Sequence, residues 1–407
     1  MGFWSRLFGR GGDETKMTSL ELFREVYGAG RDSMAGVAVT TAAALEVSTV
    51  LACARVIAEG CSQIPFHLMQ ETGGRKSIAS DPLDDILYRR PNGFQTSFEF
   101  RETVLLHVIL CGNAYVFVNR VGSARRVREL LIIEPHRVEV KRLADFSLRY
   151  KVRNDDGSYR EYGQEEIWHI RGPSWNTWMG LDAVKTARNA IGLAISLEQG
   201  QSEFQKNGAK QSGIVSVEGK LDKKKFEDLS AWLDRHRIGG DRAHAPLVMD
   251  MAGKFTPTAM TGVDQQLIET RNHQIVQICA HFRVLPIMVG HYDKAATYAS
   301  AEQMFLHHVI HTLMPWYQRI EQSADVNLLT EAQRAAGMFT KLNPNALMRG
   351  AANDRAEYYA KALGAGGAPA WMTQNEVRDL EDIDRIDGAD ELFKPSAQSA
   401  QQPGGSA

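Results

Sequence analysis

The stretch from Ser97 to Asn119, SFEFRETVLLHVILCGNAYVFVN, changes period at its middle. Its first part predicts a helix over Ser97–Leu110, with Phe98, Arg101 and Glu102 near its start and Gly112 closing it. Asn113-Ala-Tyr-Val-Phe-Val-Asn119 then has the β-branched and aromatic composition of a strand. A similar unit precedes it. Between Leu45 and Gln63, Val50, Ala54, Ile57 and Cys61 recur at spacings of four, three and four, one face of a helix that Gln63-Ile64-Pro65 ends. Phe66–Gln70 reads as a strand, with Gly73-Gly74 as its turn. After Asn119, short apolar runs at 131–133, 138–140, 150–152 and 167–170 are divided by Pro135-His136 and by Asn154-Asp155-Asp156-Gly157. Runs of that kind predict a small, mostly antiparallel sheet. Together these segments predict an α+β domain over residues 37–180.

The later chain is mostly helical in pattern. A long helix is expected over Leu181–Gly208, with Ala183, Ala187, Ala190, Ile191, Ala194 and Leu197 on one side. A second is expected over Asp264–Phe282. Between them lies a small αβ insert, comprising strand Gly213–Val217, helix Asp222–Arg237 with Asp222 as N-cap, and strand Pro246–Met251. An irregular segment from Arg283 to Tyr298 leads to a third long helix, from Ser300 to about Leu329. Ser300 and Gln303 suggest a capping box for it, and Pro315 a kink. Two shorter helices are expected at 351–363 and 374–380, the second opened by the T-x-x-E box of Thr373 and Glu376.

Composition narrows the function classes. The 407 residues are 43% hydrophobic and 24% charged, enough to bury a large core. No apolar run reaches the ~18–20 residues of a membrane span, and the first residues lack a secretory pattern. The four cysteines (Cys53, Cys61, Cys111, Cys279) are too scattered for a disulfide framework, so buried thiols are expected. A net charge of −2 argues against tight coating of nucleic acid, which needs a basic excess to displace counterions.

Catalytic patterns are weak. No phosphate-cradling glycine loop or G-x-S-x-G elbow is present, and no cofactor is implied. His307 and His311 share a helix face without the glutamate of H-E-x-x-H. The pairs Asp155-Asp156 and Glu165-Glu166, and Asp382 with Asp384, offer carboxylates for a metal-dependent nuclease, although a hairpin turn explains the first and solvated faces the others. Lys223-Lys224-Lys225 opens the insert helix against its macrodipole and suits an acidic partner surface.

Several phrases together resemble the portal proteins of tailed bacteriophages. They are Val50–Glu59 leading to Ile64-Pro65, Arg90-Pro91-Asn92 with Phe98-x-Phe100, Gly112-Asn113-Ala-Tyr-Val116, and His169-Ile-Arg-Gly172. Phe204-x-x-Asn207-Gly208, Leu285-Pro286-x-x-x-Gly290, Thr297-Tyr298, Glu302-Gln303, Leu313-x-Pro315 and Thr373-x-Asn375-Glu376-Val-Arg378 follow in order. Two departures stand out: Arg283-Val-Leu-Pro286 where a Gly-Val-Pro-Pro-like turn is common, and Ala299-Ser300 where Ser-Asn is common.

The resemblance implies a dodecameric ring through which double-stranded DNA passes without sequence specificity. Its implied partners are the terminase large subunit, the major capsid protein and scaffold, and a head-tail adaptor. It divides the chain into an N-terminal arm (1–36), an α+β wing (37–180), stem helices (181–211 and 263–283) and a clip (212–262). A channel loop (284–299), a long helix returning to the wing (300–349), crown helices (350–393) and a disordered tail (394–407) complete it. In these terms His291, Lys294, Arg283 and Asp293 are the candidate DNA-channel residues, and Lys223, Lys224 and Lys225 the candidate motor contact. Twelve copies of a −2 chain carry about −24, which opposes a firm grip on phosphates. Two alternatives are a metal-dependent DNA-processing enzyme and an oligomeric scaffold without DNA passage.

Overall fold

The computed structural model describes residues 33–206, 213–216, 222–224, 226–228, 231, 254–257, 263–291, 298–344, 352–365, 369–380 and 384–392. Two helices, α1 (Thr41–Glu46) and α2 (Ser48–Ser62), open it. The face predicted for α2 is the one that packs, since Val50, Ala54, Ile57 and Cys61 are all buried. Strands β1 (Phe66–Thr72) and β2 (Arg75–Ile78) form the expected hairpin, followed by α3 (Pro82–Tyr88).

Helix α4 (Ser97–Cys111) starts at a capping box. The Thr96 amide donates to the Glu99 carboxylate at 2.8 Å, and the Glu99 amide donates to Thr96 Oγ1 at 3.3 Å. Its apolar face, Phe100, Val104, Leu105 and Val108, packs on α2, and Arg101 lies in the same buried face. Arg101 donates to the carbonyls of Ser62 and Ile64, at 2.8 Å each, where the chain leaves α2. Burial lowers its guanidinium pKa to about 10. Arg101→Ala should cost about 2–3 kcal/mol, because two buried carbonyls lose their donors. A lower urea midpoint would show this.

Strands β3 (Asn113–Val121), β4 (Arg126–Ile133) and β8 (Ile167–Arg171) make a sheet ordered β4-β3-β8. Strands β5 (Val138–Arg142), β6 (Leu148–Arg153) and β7 (Tyr159–Tyr162) make a second. All the pairings are antiparallel, as the run lengths predicted, but the strands divide between two sheets. The physical reason lies in β3, which is buried on both faces. Ala114, Val116 and Val118 join the main core, while Tyr115 joins a second core with Val140, Leu148, Tyr150 and Ile167.

The long helix expected over 181–208 is broken once, into α5 (Ala183–Thr186) and α6 (Arg188–Lys206), with Asp182 capping α5 through the Lys185 amide at 2.9 Å. In the insert, β9 (Gly213–Ser216) pairs with β10 (Lys254–Pro257). The strand expected at 246–251 and most of the insert helix lie outside the described residues. Asp222 precedes the described helical residues 223–224, and its carbonyl accepts the Phe226 amide at 3.0 Å, the first bond of a helix; its side chain accepts only the adjacent Lys223 amide. Helix α7 (Val263–Phe282) matches its expected span and runs antiparallel to α6. Arg271 meets Glu198 at 3.7 Å, while His281 sits 3.0 Å from the Ala183 carbonyl.

The third long helix departs most from expectation. It begins at Tyr298, so Ser300 falls inside the first turn rather than at a cap. It is also interrupted, with α8 (Tyr298–His308) joined to α9 (Met314–Asn327) by a π-helical turn, Val309–Leu313. Pro315 explains the turn: it has no N–H for the His311 carbonyl, and its ring needs the room a widened turn provides. The 300–349 segment is therefore not one long helix. It continues through α10 (Glu331–Ala335) into β11 (Met338–Leu342), which pairs with β1 to complete a third three-stranded sheet, β11-β1-β2. Helices α11 (Ala352–Ala362) and α12 (Gln374–Leu380) stand where expected, and Thr373 and Glu376 form the predicted box. Cys53, Cys61 and Cys279 are buried and Cys111 half-buried, all as free thiols.

Candidate functional site

The phrases Gly112-Asn113 and His169–Gly172, far apart in sequence, meet in one joint. Asn113 starts β3 opposite Arg171 of β8. Its side-chain oxygen accepts from His169 Nε2 at 3.0 Å and from the Gly180 amide at 2.8 Å. His169 Nδ1 accepts from the Tyr150 hydroxyl at 3.3 Å, which makes the ring the neutral Nε2–H tautomer. Burial, with a smaller contribution from Arg171, lowers its pKa to about 3. The Gly172 amide donates to the Gly112 carbonyl at 2.9 Å. The joint fixes where the chain leaves the sheets for α5 and α6. Asn92 serves a neighbouring turn in the same way, donating to the Leu130 carbonyl at 3.0 Å while its oxygen accepts the Phe94 and Gln95 amides.

The segment expected as a channel loop is ordered at its base. Arg283 follows α7 with φ +57, in the left-handed region. Its amide bonds to the Ala280 carbonyl (3.1 Å) and the Val284 amide to that of Cys279 (2.9 Å), the paired bonds of a Schellman end. The resemblance leads one to expect glycine at this place, and the left-handed backbone is the conformation that favours it. Arg283→Gly should stabilise the fold by up to about 1 kcal/mol by relieving the Cβ strain. Parallel urea titrations would show it as a raised midpoint.

The Arg283 carbonyl also accepts from Thr312 Oγ1 at 2.6 Å, tying the base of the segment to the π turn. A 3₁₀ turn, Pro286–Val289, then packs Met288 and Val289 against the core, and Gly290 (φ +80) turns the chain into His291. Arg283 is exposed and His291 half-buried, at the two ends of this anchored turn. Asp293 and Lys294 lie outside the described residues.

Lys223 and Lys224 are exposed, and Lys225 lies outside the described residues. The carboxylate pairs are structural. Asp155 pairs with Arg137 at 2.8 Å, Asp156 accepts from Ser158 in the β6–β7 turn, Glu165 pairs with Arg125, and Glu166 accepts the Gly163 amide. Asp384 is exposed, and Asp382 lies outside the described residues. The exposed His307 and His311 rings lie with centroids 4.4 Å apart and planes tilted by 47°. Among the described residues no group of three metal-ligating side chains forms, and no helix is long and apolar enough to cross a membrane.

The phage portal protein family matches residues 48–382. This chain belongs to that family. It is 30% identical to the probable portal protein of Streptomyces phage phiC31, over 97% of this chain and 88% of the relative. It is 28% identical to the portal protein of Enterobacteria phage HK97, over 85% of this chain and 81% of the relative. Its fold matches a chain in the neck of a native gene transfer agent particle computed with C12 symmetry, with a TM-score of 0.55 and 21% identity over 90% of this chain and 99% of that one.

Portal proteins are structural components of phage capsids, not enzymes. The portal phrases in this sequence thus mark backbone joints: Asn92 and Asn113 bond main-chain groups where one element hands over to the next, His169 holds the Asn113 side chain in place, and Arg101, just after Phe98-x-Phe100, bonds the carbonyls that end α2.

Proposed function

We propose that twelve copies of this chain close into a ring at one capsid vertex, through which double-stranded DNA is packaged and later ejected. The terminase large subunit docks first, at the clip and its Lys223-Lys224-Lys225 run, and the head-tail adaptor later. The major capsid protein and scaffold surround the ring. In this reading residues 37–180 are the wing, α6 and α7 the stem, the β9–β10 insert the clip, the 284–299 segment the channel loop, and α11 and α12 part of the crown. The ring assembles in the host cytoplasm and remains in the virion.

The observation that carries this reading is the state of the long helices. Helix α7 buries Ile278, Cys279 and Phe282 at its base, yet leaves Ile268 61% exposed and Val276 exposed further out. Leu193 on α6, Phe305 and Leu306 on α8 and Ile310 in the π turn are exposed as well. Apolar residues on the outer faces of anchored helices suit a heterologous interface, in which one face of each subunit meets the opposite face of the next. The C12 symmetry of the structurally similar neck chain supports a twelve-fold count.

Electron microscopy of the purified protein tests the proposal, with rings holding an open axial hole as the expected result. Solid or two-fold particles would refute it. In the ring, His291 and Lys294 are expected to face the axis; finding both buried between subunits would reject the channel assignment.

A further inference from the structure

A cleft of about 790 Å³ lies between the β5-β6-β7 sheet and the α9–α10 corner. Arg120, Arg125, Arg142, Arg171 and Arg334 line it, against Glu165 and Glu331. Most of these arginines spend their hydrogen bonds on main-chain oxygens, which leave their charge uncancelled. Arg120 donates to the Asn327 carbonyl at 2.6 Å, Arg171 to that of Thr177 at 3.1 Å, and Arg334 to those of Asp325, Val326 and Leu329. Arg142 lies over the Phe146 ring at 4.4 Å. Of these five arginines, only Arg125 has a carboxylate partner among the described residues, Glu165. Phe146 and Val326, both 71% exposed, give the cleft an apolar rim.

The chain itself holds a complementary surface. Residues 376–391 contain eight carboxylates and two arginines. Both arginines are engaged locally: Arg385 pairs with Asp379, and Arg378 donates to the Asp384 carbonyl at 2.6 Å. Asn375 clamps the segment onto α12 through both the amide and the carbonyl of Ile386. Asp384, Asp387, Asp390 and Glu391 are left exposed, beside exposed Ile386 and Leu392. Acids flanked by aliphatic side chains match arginines rimmed by Phe146 and Val326.

We infer that the arginine cleft receives the acidic 384–391 segment of a neighbouring copy of this chain. The segment is exposed in its own subunit, so its own cleft does not hold it. Arginine forks suit carboxylates, and pairs that alternate around a closed ring would set which face of each subunit meets which. The inference rests on the ring proposed above.

Two measurements on the full-length protein test it. The first is bismaleimide cross-linking of assembled rings of the Arg142→Cys/Asp387→Cys variant, with each single variant as a control. A ladder of covalent multimers is expected, and monomers alone from intact rings would overturn the inference. The second is charge exchange. Arg125→Glu/Arg142→Glu and Asp387→Arg/Asp390→Arg should each lower ring yield roughly tenfold, and their combination should restore it. Unchanged yields, or no rescue, would overturn it. So would rings of the cleft variant that assemble normally but lose salt-sensitive binding of duplex DNA, which would make the cleft a phosphate site. Failure of the unmodified protein to form rings would instead refute the ring itself.

Discussion

Gly112→Ala is expected to be among the most destabilising single substitutions in this protein. Gly112 sits at φ +74, where any side chain is strained by roughly 1–2 kcal/mol. Its Cβ would also overlap the Leu181 carbonyl and crowd the Gly180 backbone. Relief requires the 180–181 segment to move, which breaks the Asn113–Gly180 bonds and the Gly172–Gly112 bond and detaches the start of α5 from the sheet. We expect a loss of about 4–5 kcal/mol, a large share of the roughly 5–15 kcal/mol that holds a domain folded. The control is Gly122→Ala. Gly122 also has φ +74, but only open space surrounds it, so its cost should stay near 1 kcal/mol. Urea unfolding and limited proteolysis of the two variants would separate them, and equal losses would show that the close approach to Leu181 carries no weight.

Stability should also fall steeply in mild acid. His169 is neutral in the fold, with a pKa near 3, whereas in the unfolded chain it titrates near the ordinary histidine value of about 6.5. Between those values the unfolded state binds the extra proton, so stability is fully present above about pH 6.5 and is lost as pH falls toward 3. From pH 6.5 to 5 the loss is about 2 kcal/mol from this residue. His107, His281 and His308, all lowered chiefly by burial, act in the same direction. Urea midpoints measured from pH 7.5 to 5 should therefore drop, and His169→Gln should flatten the slope without removing it. An unchanged slope in that variant would mean that the Asn113–His169–Tyr150 network does not hold the neutral ring.

Helices were the most legible part of this portal sequence. α4, α7 and α12 fall within a residue or so of their expected bounds, because each carries its own stop and start signals: Gly112 closing α4, the change of pattern at Arg283 after α7, and the Thr373 box before α12. Strands were less so. β11 escaped notice because Met338–Leu342 is short and its partner is β1, near the other end of the domain. The π turn was legible only as a proline, since what widens is the turn before it. The arginine cleft left no trace in the sequence at all. Its residues are scattered from 120 to 334, and no spacing rule joins them.

The sequence by itself determined the α+β class, the order of the long helices, the absence of an enzyme motif and the portal family. Those follow from local period, capping chemistry and short phrases, which act over a few residues. Tertiary structure alone decided that β3 is buried on both faces and so divides the strands between two sheets, that Asn113 and His169 form one joint, and that five distant arginines share a cleft. Such contacts depend on which surfaces the folded chain brings within a few ångströms, and local sequence exerts no force over that separation.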